Sequence, residues 1–350
     1  MTQYFRSNIA AMEGYAPGEQ PQGGKFIKLN TNENPYPCSP KVRASIGHAV
    51  KAGLQKYPDP TATAFRMQAA ELYGVEPDWI LCGNGSDDIL TIVTRAFVDA
   101  GNHVRFSRPS YTLYHTLAEI QGAKCHVIDY QSDWSLGEDF TKHCDQLRLA
   151  YLANPNSPSG TVIPPAEVAR IADALPCPLV VDEAYADFAE TNCVSLVAEN
   201  EKIMVARTLS KSYALAGLRF GFLIAQPQII RELSKVKDSY NCDALSIAGA
   251  TAAIGDQQWF DQTRATVIAT RARLTERLQG LGFDCVESQA NFVWCQHPQH
   301  PSEQLYQRLK SEGVLVRYLD YGDSGDGLRI TVGTDEQIDA FLAILATFSL

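Results

Sequence analysis

The sequence predicts an α/β protein, with a mainly parallel seven-stranded sheet between helices and a smaller α+β domain beside it. Three observations carry that expectation. Short, fully apolar runs recur along the first two thirds of the chain, and they are too short for core helices. They alternate with helical segments, which is the rhythm of strands buried on both faces of a parallel sheet. After about residue 240 the rhythm changes to one long helix followed by clustered strands, which marks a second unit.

The N-terminal stretch to about Pro37 is rich in loop formers, with Pro17, Pro21, Gly23 and Gly24 before a short strand at Phe26–Leu29. The seven sheet strands are then expected at Trp79–Cys82, His103–Phe106, Cys125–Ile128, Leu149–Leu152, Leu179–Asp182, Ile203–Ala206 and Phe220–Ala225. A long helix over about Asp256–Leu278 opens the second unit. Strands at Asp284–Val286, Asn291–Trp294, Val314–Val316 and Leu328–Val332 follow, with helices near Glu303–Ser311 and Glu336–Ala346. The boundaries drawn from this pass are an arm at 1–37, a large domain at 38–240 and a small domain at 241–350.

The chemistry concentrates between Thr208 and Arg219. Ser210 and Lys211 stand eight positions before Arg219 in a stretch otherwise small and apolar. A desolvated lysine amine is free to condense with a carbonyl, and the neighbouring hydroxyl and guanidinium suit a phosphate. An aldehyde and a phosphate on one molecule describe pyridoxal 5'-phosphate (PLP). Upstream, the apolar run Leu179–Val181 ends in Asp182, at the strand end where parallel sheets bind ligands. A carboxylate there would hold a pyridine nitrogen protonated, and Tyr185 lies three residues on, able to donate to the ring's phenolic oxygen. The turn Gly83–Asp87 joins a strand to a helix that runs to about Val98, so the first helical N–H groups face an anion, with Ser86 adding a hydroxyl. Tyr111 follows the next strand as a ring to lay against a flat cofactor, and Asn154–Gly160 is a turn too rich in Pro and Gly for a helix. Arg329 and Arg317, on two successive late strands, offer forked donors for a carboxylate or phosphate.

In their order these motifs resemble the fold-type I PLP-dependent aminotransferases, and most closely the histidinol-phosphate aminotransferase subgroup. The likeness runs from Asn30–Pro37 to Leu328–Gly333. It implies the PLP-dependent transferase fold, with Lys211 as the Schiff-base lysine, Asp182 at the pyridine nitrogen, Tyr185 at the ring oxygen and Tyr111 stacked on the ring. Gly85, Ser86, Asp87, Ser210 and Arg219 would surround the phosphate. The family's turn usually ends Asn-Pro-Thr-Gly, and that asparagine bonds the ring oxygen. Here the text is Ser157-Pro158-Ser159-Gly160, so the contact falls either to Ser157 or to Asn156. The resemblance further implies that Tyr15 closes over the substrate and that Tyr57 reaches the cofactor phosphate of a neighbouring subunit, hence a homodimer with shared active sites. Asn34 would line the same pocket. Arg317 and Arg329 would grip the phosphate of histidinol phosphate in one half-reaction and a carboxylate of 2-oxoglutarate or glutamate in the other. Aromatic amino-acid aminotransferases and threonine-phosphate decarboxylases carry much the same text.

Composition sets the remaining limits. A formal charge of -10 argues against nucleic acid and acidic membranes as partners. Nothing in the sequence is long and apolar enough to span a bilayer, and Met1–Arg6 lacks a signal peptide's apolar core, so the expectation is a cytoplasmic protein. Nine cysteines without a Cys-x-x-Cys suit reduced thiols, and no metal is expected, with His297 and His300 assigned to a surface loop. A nicotinamide dehydrogenase is disfavoured because Gly83-x-Gly85 lacks its third glycine and the next strand ends in Ser107-Arg108 where a ribose-binding acid belongs. A non-catalytic binding module would be expected to lack Lys211 or Asp182, and both are present.

Overall fold

The computed structural model describes residues 4–14, 18–20, 26–322 and 325–348. Strand β1 (Ile27–Leu29) comes first, and seven strands then build the large sheet: β2 (Ile80–Gly83), β3 (His103–Arg108), β4 (Lys124–Asp129), β5 (Leu147–Ala153), β6 (Leu179–Asp182), β7 (Ile203–Thr208) and β8 (Gly221–Ile224). Their order across the sheet is β2-β8-β7-β6-β5-β3-β4. Every pair from β7 to β4 is parallel, and β8 alone runs against its neighbours. The expected strands are all present, with ends displaced by at most two residues in this sheet.

Burial explains why these runs are apolar throughout. In β6, Leu179 and Val181 pack on one face with Ile203 and Val205, while Val180 packs on the other with Tyr151 and Met204. Alternate side chains therefore enter two separate cores, and a polar residue on either face would lose its hydration.

The second sheet has the order β1-β11-β12-β10-β9, using β9 (Asp284–Cys285), β10 (Phe292–Gln296), β11 (Val314–Asp320) and β12 (Asp326–Thr331). Its core forms around Leu274, Leu278, Val293, Val314, Ile330 and Phe341. Strand β11 runs four residues beyond its expected end, because its last half is only partly buried and its charged residues break the apolar signal. β1 pairs in parallel with β11, so the segment Asn30–Asn34 leaves this sheet and crosses to the large one. Among the described residues no helix is long and apolar enough to cross a membrane.

Candidate functional site

A cavity of about 220 Å³ opens at the carboxyl ends of β5, β6 and β7 and is closed from the other side by β11, β12 and the Asn30–Asn32 segment. Because β8 returns antiparallel to β7, the loop between Thr208 and Gly221 stays at this edge and carries Ser210, Lys211 and Arg219 into it.

One end of the cavity is shaped for an anion. Gly85 sits just before the helix Ser86–Phe97 with φ of 88°, in the left-handed region that side chains avoid. A Cβ there would lie 2.6 Å from Arg219 Nη2, so the guanidinium occupies the space that any other residue would fill. Gly221 is needed for the converse reason: a Cβ on it would collide with the backbone of Gly85 and Ser86. The helix has no side-chain N-cap, which leaves its first N–H groups directed at the cavity. Arg219 donates from Nη1 to Ser210 Oγ at 3.3 Å and lies 3.4 Å from Asp87 Oδ2, both charges being about half exposed. Asp87 also accepts from Tyr111 at 3.0 Å, which sets the Tyr111 ring at the cavity wall.

Lys211 is half-buried. Its Nζ has the Thr31 carbonyl at 3.4 Å and the Tyr185 ring centroid at 5.5 Å, and among the described residues no carboxylate pairs with it. Asp182, 4 % exposed, also lacks a cationic partner there. Burial pushes its carboxyl up to about 6, against the pull of hydrogen bonds from Tyr114 Oη (2.7 Å) and the Ala184 N–H (3.2 Å). An unpaired amine and an unpaired buried acid in one cavity cost stability, and they suit a ligand carrying an aldehyde and a basic ring nitrogen.

Both candidates for the ring-oxygen contact have other partners. Asn156 receives Ser110 Oγ on its Oδ1 and donates from Nδ2 to the Pro109 carbonyl and Ser159 Oγ, and it lies behind the cavity wall. Ser157 does line the cavity, and its Oγ accepts from Arg329 Nη1 at 2.9 Å.

At the opposite end Arg317 and Arg329 are direct cross-strand partners on β11 and β12. Like charges opposite one another destabilise a sheet, so this pairing asks for an anion between them. Arg329 also donates to the Asn30 carbonyl at 3.2 Å, lies over the Phe292 ring, and keeps a buried Nε without a partner.

Three further expected residues stand apart. Asn34 spends its amide on the Ser212 carbonyl and the Tyr36 N–H, outside the cavity lining. Tyr57 is 80 % exposed and stacks on Tyr240 at 4.5 Å, away from its own chain's cavity. Tyr15 lies outside the described residues.

Several supporting residues escaped the sequence reading. Tyr114 is fully buried, stacked on Tyr151 at 4.8 Å, and delivers its hydroxyl to Asp182. Arg207 is buried between Glu183 (2.6 Å) and Asp187 (2.6 Å), and Ser212 donates to Asp187, so one ionic cluster fixes the segments following both Asp182 and Lys211. Asn32, 1 % exposed, lines the cavity and donates to Tyr185. The acid next to Asp182 and the repeated asparagines of Asn30–Asn34 were the available signals. Elsewhere, His103, His126 and Cys144 come within ligating distance of one another. Arg105, itself buried, donates to His126 Nδ1 at 3.0 Å and so sets a positive charge beside that group.

A fold of this kind with that cavity at its strand ends defines the class: the chain belongs to the aminotransferases of class I and II, whose family model matches residues 24–345. Within that class it is similar to histidinol-phosphate aminotransferases. It is 54% identical to one from Rhodopirellula baltica over 97% of this chain and 94% of that protein. It is 46% identical to one from Nostoc sp. over 99% and 98%. Its backbone superposes on the histidinol-phosphate aminotransferase of Sinorhizobium meliloti in complex with pyridoxal-5'-phosphate with a TM-score of 0.87, at 24% identity over 98% of both chains. An aspartate aminotransferase of Thermus thermophilus matches with a TM-score of 0.83, at 20% identity over 98% of this chain and 99% of that one. These last two likenesses concern the fold alone.

Proposed function

We propose that this chain is a PLP-dependent transaminase that takes the amino group from L-histidinol phosphate and passes it to 2-oxoglutarate, giving imidazole acetol phosphate and glutamate. The observation that carries this is the opposed pair Arg317–Arg329 facing the same cavity as Lys211 and Asp182. Both substrates of such an exchange use one pocket in turn, and both are anions, so a shared two-arginine clamp serves each. The relatives at 54% and 46% identity carry the name of that activity.

The residues present fit PLP. The Gly85 cradle, the helix start at Ser86, Ser210 and Arg219 would hold its phosphate, Lys211 would bind its aldehyde, and Asp182 would face its ring nitrogen. When bound, PLP supplies an electron sink for the charge left at the substrate Cα. Asp182 would serve as the anion that keeps the ring nitrogen protonated, and Tyr114 donates to its carboxylate, which would steady that anion. Lys211 Nζ, when free, would take the substrate Cα proton as general base. Tyr111 would lie against the flat ring, and Arg317 and Arg329 would orient the substrate's far end.

We further read the enzyme as a cytoplasmic homodimer, with residues 38–240 as cofactor domain and the arm 1–37 joined to the small domain 241–350. Support comes from the exposed run Val50, Leu54 and Tyr57, a surface suited to a second copy, and from the pairing of β1 with β11.

The test is glutamate formation from histidinol phosphate and 2-oxoglutarate by the PLP-loaded protein, with each half-reaction followed by the visible spectrum. Borohydride should fix the chromophore on Lys211. Carbon dioxide from threonine phosphate, with no glutamate formed, would replace this reading by a decarboxylase.

A further inference from the structure

Tyr185 lines the cavity, and its hydroxyl has one partner within the chain. Asn32 Nδ2 lies 2.9 Å from Tyr185 Oη, and an amide nitrogen only donates, so the tyrosine is the acceptor. The amide's other end is engaged as well. Thr331 Oγ1 accepts the Asn32 backbone N–H at 3.0 Å, and its own proton goes to Asn32 Oδ1 at 3.1 Å. The Asn291 side chain holds the Asn32 carbonyl at 3.0 Å. Asn32 has φ of 56°, a left-handed conformation that asparagine accepts more readily than most residues. In this arrangement Asn32 takes up one side of the Tyr185 oxygen, and the phenolic proton is left to point at the cavity, where a ligand's oxygen would accept it.

The need for such a device follows from the neighbouring turn. Asn156 has its amide fully engaged behind the wall, and residue 157 is a serine drawn to Arg329. The amide N–H that the resembled family offers the ring oxygen is therefore missing from this turn.

We propose that Asn32 is a positioning residue for the PLP ring oxygen, acting through Tyr185 by holding that tyrosine as an obligatory donor. The inference rests on the PLP reading above and adds to it a residue that need not touch the cofactor. A hydrogen bond donated to the ring oxygen withdraws charge from it and lowers the pH at which the lysine-bound chromophore loses its proton.

The experiment is a spectrophotometric pH titration of the PLP-loaded protein, comparing wild type, Asn32→Gly, Asn32→Asp, Tyr185→Phe and the double variant Asn32→Gly/Tyr185→Phe. Glycine removes the amide without straining a positive φ, and aspartate keeps the shape but can only accept, so it turns the Tyr185 proton away from the cavity. The titration midpoint should rise by about 0.5–1 unit in Asn32→Gly, the size of one hydrogen bond. It should rise further in Asn32→Asp, and the double variant should match Tyr185→Phe alone. Midpoints unchanged in both Asn32 variants while Tyr185→Phe shifts would overturn the proposal, as would an Asn32→Gly shift that adds in full to that of Tyr185→Phe. Wild-type protein that forms no visible band with PLP would remove the reading of the site itself, a result separable from either.

Discussion

Replacing Asp182 by asparagine should make the cofactor-free protein more stable, and by an amount that depends on pH. Burial raises this carboxyl from 3.8 to about 6. The unfolded chain therefore releases the proton first, and between those values the folded state binds more protons. Stability from this group is fully present below 3.8 and is lost as pH rises through about 6. Two pH units correspond to about 3 kcal/mol of strain carried above neutral pH. Asparagine removes the charge but forfeits about 1 kcal/mol, because one of the bonds from Tyr114 and Ala184 then meets a donor. The net gain near pH 8 is about 2 kcal/mol. With an unfolding entropy of about 2.1 cal/mol/K per residue over this chain, that is a rise in Tm of about 3 °C. Thermal melts of both cofactor-free proteins from pH 5 to 8 provide the assay. The gap should widen by about 1–2 kcal/mol across that range, and added PLP should reverse it by stabilising the wild type more. A variant no more stable than wild type at pH 8, or a gap independent of pH, would refute the account of Asp182 as an unpaired buried anion.

Gly85→Ala should weaken PLP binding at least about tenfold in a titration of the cofactor-free protein, since the new methyl group displaces Arg219 and strains a positive φ; unchanged affinity would mean that this loop does not hold the phosphate. Arg207→Ala should destabilise the fold by about 3–5 kcal/mol, because it leaves Glu183 and Asp187 unpaired in the interior. A denaturant melt showing less than about 1 kcal/mol would contradict that role.

The large sheet was legible because its strands are buried twice over, so that β6 could be bounded at Leu179 and Asp182 from its apolar letters alone. β11 was cut short at Val316 because its continuation through Arg317 and Asp320 is half-exposed and reads as loop. Lys211, Asp182 and Arg219 were legible for a different reason: each belongs to a short local pattern with its own chemistry. Tyr114 and Asn32 were not, since their partners arrive from far along the chain. Tyr114 meets Asp182 from 68 positions away, and Asn32 meets Thr331 from 299. A lone buried tyrosine or asparagine carries no sign of such a partner until the sheets are packed. The turn at Asn154–Gly160 lay between these cases. Its two candidate residues were visible, but only the contacts of Arg329 and Ser110 show how each side chain is already engaged.

The parallel pairing of Ile27–Leu29 with Val314–Val316 joins segments that lie far apart along the polypeptide. Strand β1 must wait for the much later synthesis of β11 before Asn30, Thr31 and Asn32 can take their places. A nascent chain can complete its large sheet and still have an open-sided cleft. Capture of a small molecule there thus waits for β11 and β12, and loss of those two strands would leave the cleft unclosed.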